Sequence, residues 1–481
     1  VEADQPGSLQ RAEERPQPGG EAVSPDQGAP VEPDQPGALE RFEERISALE
    51  KGKVTYPIIR LSGFFHFDTG MFTQDAQSAA VLGDVQNGSG FRRARLQGLG
   101  NLTEFTGYSI EMDFGFPGRP SFMDVWLEQR ELPLLGTVRI GQFRQPVTMD
   151  SWTNIKHMEF LERSTPFQAF DPFRRVGVMA YTTSEDERTM WAYSVFGTGW
   201  TFWNGTSTVY NTLGGDNRFG TQLTDRGGVA FALRGTHLLY YDDLAEGRYL
   251  LHVGGGYLFG EIGGEGTTGP DAPTYEARTI PEFFVGDPAG AGLTAAGTPF
   301  VVDTGRFLAN NYNLFHLELA GNVGSAHWQT EYLASLVNQF GGPQVFYDGA
   351  YFQCGYFLTG ESCSYNKQAG VLDYNVKPYT EFFGLGRSGM RMGGWGAWEV
   401  AFRWSYLNLN ASINPANALP GPAGPPPSPN PGVLNESTVA LNWWWNQYTR
   451  AQFNWIHSMA AYAAGNTGIM DIFAMRFQIE F

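Results

Sequence analysis

The sequence predicts an all-β protein, a transmembrane antiparallel β-barrel of about 16 strands, on three observations. Many short segments alternate apolar and polar residues with period two. Their apolar faces are rich in Trp, Tyr and Phe, and ionised side chains recur at the middle of the opposite faces. A soluble sandwich also alternates, but its charged faces meet water and its aromatic faces form a dry core. Rings near strand ends with Arg and Glu at strand centres fit the inverse arrangement, with rings at the lipid headgroups and charge in a wet lumen.

The clearest segment is AWEVAFRWSYLNL, where Trp398, Val400, Phe402, Trp404 and Tyr406 face one way and Glu399, Arg403 and Ser405 the other. SIEMDF sets Ile110, Met112 and Phe114 against Glu111 and Asp113, and FRRARLQG sets Ala94 and Leu96 against Arg93, Arg95 and Gln97. AHWQTEY and TVALNWWW repeat the pattern. Candidate strands centre near 62, 95, 111, 126, 139, 178, 193, 231, 254, 318, 329, 353, 401, 441, 453 and 476. Short turns (GLGNLTEF, LAEGRY, WNQYTRAQ) alternate with long excursions at 199–222, 259–309, 359–393 and 409–436. Short turns are expected on one rim and long loops on the other. The chain closes on AMRFQIEF, with Phe473, Met475, Phe477, Ile479 and Phe481 alternating with Arg476, Gln478 and Glu480. In a barrel such a strand pairs with the first one, so neither edge is left open.

Composition agrees. Charged residues are 17% of the 481, below the ~25% usual for soluble domains. No run of ~18 apolar residues offers a transmembrane helix. The mean hydropathy of -0.28 does not exclude spanning strands, which are nearly silent in such averages. A net charge of -18 argues against nucleic acid as a partner. The opening VEADQPG has no signal-peptide pattern, as a mature form would not, so export has to be argued from the strands. Cys354 and Cys363 either close one loop as a disulfide or remain free thiols, and export favours the disulfide. No further metal ligands lie beside them and the seven His show no ligand spacing, so neither metal nor cofactor is expected. No nucleophile elbow or Ser/His/Asp set points to an enzyme.

Three regions are expected. Residues 1–36 form a Pro/Gly-rich disordered or extended arm, in which VEADQPGSLQRAEER recurs as VEPDQPGALERFEER. Residues 37–53 form a short coiled-coil helix with a seam of Leu39, Phe42, Ile46 and Leu49, or else a solvated helix on a flexible leader. Two heptads need several copies already held together. Residues 54–481 form the barrel.

One connection stands apart. From Arg144 to Val178 the chain is long and neither Gly-rich nor of low complexity, with a helical stretch expected near Met149 to Arg163. Met149, Trp152, Ile155 and Phe160 give it apolar anchors, so it needs a surface. In a wide barrel that surface is the inner wall. The other reading is a folded extracellular cap.

Here the sequence resembles the phosphate-selective porins of the O/P type. The resemblance rests on Gly141-Gln142-Phe143-Arg144 with a loop ending Phe160-Leu161-Glu162-Arg163, on YFLTGES, on GAWEVAFRWSYLNL and on MRFQIEF. It implies a sixteen-stranded homotrimer in a Gram-negative-type outer membrane, loop 3 folded inward and a short periplasmic coil. It also implies a basic position in loop 3, matched by Lys156, and inward arginines, matched by Arg93 and Arg95. Alternation adds Glu111, Asp113, Asp124, Glu128 and Arg139 to the wall, with Arg163 at the loop's end. Mixed signs give a transverse field rather than an uninterrupted phosphate ladder.

The expected function is passive diffusion of small hydrophilic solutes and ions, with anion or phosphate preference as the finer expectation. Expected partners are membrane lipid and lipopolysaccharide, further copies of the chain, and small ions or solutes. A different reading makes the protein a structural tether, its arm gripping peptidoglycan or a periplasmic protein.

Overall fold

In the computed structural model the described residues are 55–115, 121–199, 201–203, 227–268, 272–285, 297–385, 391–419 and 430–481. The expected arm, and the coil with Leu39, Phe42, Ile46 and Leu49, lie outside them.

Sixteen strands make the barrel: β1 (Ile58–Gln74), β2 (Gly88–Asn101), β3 (Thr106–Asp113), β4 (Ser121–Leu132), β5 (Gly136–Arg144), β6 (Arg174–Thr183), β7 (Thr189–Gly199) and β8 (Gly228–Tyr241). There follow β9 (Tyr249–Glu261), β10 (Phe307–Val323), β11 (Ala326–Gln339), β12 (Val345–Phe357), β13 (Ala397–Asn408), β14 (Gly432–Asn446), β15 (Thr449–Tyr462) and β16 (Thr467–Glu480). All sixteen expected centres fall inside them. Each strand pairs antiparallel with the next. The ring closes where β1 pairs with β16, from Phe64↔Glu480 to Gln74↔Met470. Phe481 and Gly63 exchange two backbone hydrogen bonds at 2.9 Å, so the ladder runs to the last residue.

The alternation has the predicted sense. On β16, Phe473 and Phe477 are 51% and 36% exposed, whereas Arg476 and Gln478 are at 0% and 3%. Aromatic rings gather at the short-turn rim. Trp398 stacks on Trp443 with centroids 4.8 Å apart, and both indole N–H groups donate to Trp395 O at 2.9 Å. Rings whose N–H groups have found acceptors suit the membrane–water boundary.

The lumen is largely filled. Towards the long-loop end the inner faces of β9–β16 turn apolar, with Leu258, Tyr312, Leu314, Leu333, Tyr347, Ile456 and Ile472 buried. The segment between β9 and β10 covers them with Tyr275, Phe283 and Val301, forming a dry core inside the barrel. Glu282 of that segment reaches the far wall, accepting from Arg403 Nε (2.9 Å), Ser405 Oγ (2.5 Å) and Thr438 Oγ1 (3.0 Å).

Three expectations are corrected. The excursion 359–393 does not share the rim of the other long connections; it joins β12 to β13 on the rim of the short turns. The stretch 149–163 is not one helix but α2 (Met149–Trp152) and a 3-10 turn at Ile155–His157, with α3 (Thr165–Phe170) beyond; α1 is Ala76–Leu82. Cys354 and Cys363 are free thiols. Cys354 takes the outward row of β12, next to inward Gln353, while Cys363 is buried on the lumen side, so the barrel wall separates them.

Leu317, on β10 and 68% exposed, faces the lipid belt. Leu317→Arg should destabilise the barrel by about 2–4 kcal/mol, measured by denaturant unfolding in bilayers. An unchanged midpoint would put the outward face in water.

Candidate functional site

Besides the segment between β9 and β10, two more enter the lumen, and an open region lies between them and the wall. The first is the connection 145–173. Its backbone carbonyls are taken up by the inner faces of β13–β16. Arg450 and Gln478 donate to Lys156 O (3.0 and 2.8 Å), Asn442 to Glu159 O (2.9 Å), Arg476 to Leu161 O (2.5 Å) and Arg403 to Glu162 O (2.9 Å). A carbonyl bonded to the wall is not spent on an i→i+4 helical bond, which is why the segment breaks into short turns. At its start, the Met149 and Asp150 N–H groups donate to the Glu331 carboxylate at 2.7 and 2.9 Å.

Glu162 fastens the segment to β2 and β16. It pairs with Arg92 (2.8 Å), Arg93 (2.8 Å) and Arg476 (3.2 Å), and Arg476 also grips Asp68 at 2.6 Å. Arg92 reaches inward because β2 bulges opposite β1: His66 pairs with Arg93 and Phe67 with Phe91, leaving Arg92 extra. Burial alone would raise the Glu162 carboxyl, but Arg92, Arg93 and Arg476 hold it well below the usual carboxylate range.

The second segment is 358–396 at the short-turn rim. A hairpin of Ser364–Asn366 and Val371–Asp373 points into the barrel. Arg234 donates to Ala369 O and Gly370 O, both at 2.7 Å, and Tyr365 meets His252 at 2.7 Å. Val371 and Leu372 pack with Met149, Leu238, Leu250 and Phe357. The two segments touch where His157 Nδ1 meets Asp373 at 2.8 Å, with Glu480 3.6 Å from Nε2.

Against β1–β6 lies a cavity of about 710 Å³. Arg60, Arg95, Arg139, Arg144, Lys156 and Arg174 line it with two carboxylates, Glu111 and Asp124. Of the sequence-derived residues, Arg95, Glu111, Asp124, Arg139 and Lys156 therefore border the space. Arg93, Asp113, Glu128 and Arg163 lie behind it in ion pairs: Arg93 with Glu162 (2.8 Å), Asp113 with Arg95 (2.7 Å), Glu128 with Arg139 (2.7 Å) and Arg163 with Asp150 (3.0 Å). Arg174 bridges Asp124 (2.7 Å) and Glu111 (3.5 Å). Arg60 and Arg144 have no carboxylate partner among the described residues, and Lys156 has only Glu480 at 3.9 Å. Arg144 lies over the Phe173 ring, 4.7 Å from its centroid, with Nη1 unbonded. The surplus is positive in a protein of strongly negative net charge. Arg60 and Arg174 were not singled out from sequence, and Arg144 was named there only as part of a motif, not as a wall residue. Alternation could not have found Arg174, which falls two and four positions before Val176 and the exposed Val178 and so shares the outward row of β6, and no sequence signal says which wall stays uncovered.

The family described as "Phosphate-selective porin O and P" matches residues 60–254 and 296–481. No curated protein matches the chain. Among solved structures, the anion-selective porin from Comamonas acidovorans is 10% identical, with a TM-score of 0.49 over 88% of this chain and 99% of that one. The outer-membrane channel DcaP of Acinetobacter baumannii is 10% identical, with a TM-score of 0.46 over 88% and 97%. A loop L8 deletion mutant of OmpT from Vibrio cholerae is 9% identical, with a TM-score of 0.47 over 88% and 99%. These structures are too distant to carry a functional argument.

Two predictions follow from the anchors. Glu162→Gln leaves the half-buried Arg92 and the buried Arg93 and Arg476 short of a carboxylate. It should ease local opening of 145–173 by about 3–5 kcal/mol, seen as faster amide exchange there, whereas unchanged exchange would mean Glu162 is not an anchor. His157 is held above its ordinary value because, although burial lowers it, hydrogen bonds to Asp373 and Glu480 raise it further. A raised histidine stabilises fully below about 6.5 and loses its contribution as pH climbs through the raised value. Proteolysis of 358–396 should therefore speed up on alkalinisation, and Asp373→Asn should flatten that profile.

Proposed function

The chain belongs to the phosphate-selective porin O and P family, so it is an outer-membrane channel protein, and from that premise we propose passive diffusion of small anions past the cavity on β1–β6. The observation that carries this reading is the charge surplus there. Arg95, Arg139 and Arg174 are offset by the four carboxylates Glu111, Asp113, Asp124 and Glu128 with one negative charge to spare, and Arg60, Arg144 and Lys156 outweigh that excess. Fixed cations beside a narrow, low-dielectric wall concentrate anions and raise the barrier to cations. Loop 3, residues 145–173, acts as the constriction, with Trp152–Lys156 forming one side of the passage. Phosphate is within this class of solute, although Glu111 and Asp124 interrupt a continuous run of donors.

The outward apolar belt makes lipid and lipopolysaccharide the surrounding partners. We also read the assembly as a homotrimer, from the family resemblance and the two-heptad seam; sedimentation in detergent showing only monomers would oppose it.

The test is the reversal potential of the purified protein in a planar bilayer under a salt gradient, with chloride and then phosphate. It should have the anion-selective sign, and Lys156→Glu and Arg144→Glu should each move it towards cations. A value near zero, indifferent to both substitutions, would contradict the reading.

A further inference from the structure

His327, Cys363, Glu399 and Glu159 meet at the short-turn end of the lumen, and each comes from a different element. His327 opens β11, Glu399 opens β13, Glu159 belongs to 145–173 and Cys363 to 358–396. All four are buried, and ligand atoms of His327, Cys363 and Glu399 lie within 4.8 Å of one another. His327 Nε2 stands 2.9 Å from Glu159 Oε1 and 3.1 Å from Glu399 Oε1. One ring N–H cannot serve both carboxylates, and Glu399 Oε1 has no hydrogen-bond partner. Two buried carboxylates and a thiol thus surround a single imidazole, an arrangement short of positive charge.

The outer oxygens are already held. Asn442 Nδ2 donates to Glu399 Oε2 at 2.7 Å and Gln353 Nε2 to Glu159 Oε2 at 2.6 Å, leaving one oxygen of each carboxylate towards the centre. Such outer bonds orient ligands in metal sites. Phe357 and Tyr374 flank the His327 ring at 5.4 and 5.3 Å, keeping the site dry. A Cβ at Gly355 would collide with His327 Nε2 and Glu159 Oε1, so that position holds space for the cluster.

The other buried trio, His316, Glu318 and Glu331, differs. Glu318 is neutralised by Arg234 at 2.8 Å, and both Glu331 oxygens accept backbone N–H groups.

We propose that His327, Cys363 and Glu399, with Glu159 beside His327 as the fourth donor, bind a divalent ion of the zinc class in four-coordinate geometry. A Cys/His/carboxylate set suits that ion, whose charge offsets the surplus of anions. The ion staples both inward segments to β11 and β13. Sequence spacing does not reveal it, because the ligands are scattered over some 240 positions (159 to 399).

Cobalt(II) titration of the full-length, reduced protein tests this. One equivalent should bind, with thiolate-to-cobalt absorption in the near ultraviolet. Cys363→Ser should lose that band, and Cys354→Ser, on the outward face, should keep it. Absence of stoichiometric binding in the wild type, or a band that persists in Cys363→Ser or vanishes in Cys354→Ser, overturns the proposal. If Cys363→Ser does not assemble, Glu399→Gln decides: affinity should fall at least tenfold, and unchanged affinity overturns the site.

Discussion

The structure depends on side-chain donors of the inner wall satisfying the backbone of a loop that has left the rim. Arg403, Asn442, Arg450, Arg476 and Gln478 take up carbonyls between Lys156 and Glu162, and Glu162 itself closes a cluster with Arg92, Arg93 and Arg476. A buried carbonyl or guanidinium without a partner costs about 1–3 kcal/mol or more. The loop and the wall are therefore each other's solvent. Remove one, and the other must be wetted or must collapse.

That mutual satisfaction produces an asymmetric channel. Over β9–β16 the wall is covered, at one end by the apolar contacts of Tyr275, Phe283 and Val301 and at the other by the hairpin of 358–396. Over β1–β6 the inner charges stay beside open space. Selectivity is thus decided by a few residues whose charge is not cancelled by a neighbour. Arg174 is tied to Asp124 and Glu111, but Arg144 lies over aromatic rings with Asp171 and Asp124 acting on it only at longer range, and Arg60 has no carboxylate partner among the described residues.

The barrel was legible because one side of every strand meets the same solvent. Lipid imposes uniform apolarity, so Phe473, Phe477 and Ile479 announce themselves through simple alternation, and so does the inward row of Arg476 and Gln478. The inner face is less legible because it meets several solvents: water, loop carbonyls and other side chains. Tyr312, Leu314 and Ile456 are apolar yet inward, since a loop packs on them. Arg92 breaks alternation through a bulge that no local signal marks. The hairpin at 364–373 looked like another long outer loop, because parity of strands, and not loop length, decides the rim. Five of the nine expected charged positions border the cavity; which wall stays bare depends on contacts such as Asn442 with Glu159, 283 positions away.

Thiol accessibility in the conducting channel tests this asymmetry most directly. Gln97 lies on the bare wall, while Gln452, on β15, is buried beneath Glu159 O at 3.1 Å. A charged, membrane-impermeant thiol reagent should reduce the conductance of Gln97→Cys and leave that of Gln452→Cys at the wild-type level. Equal block at both positions would mean the loop does not cover β13–β16, and would contradict the account.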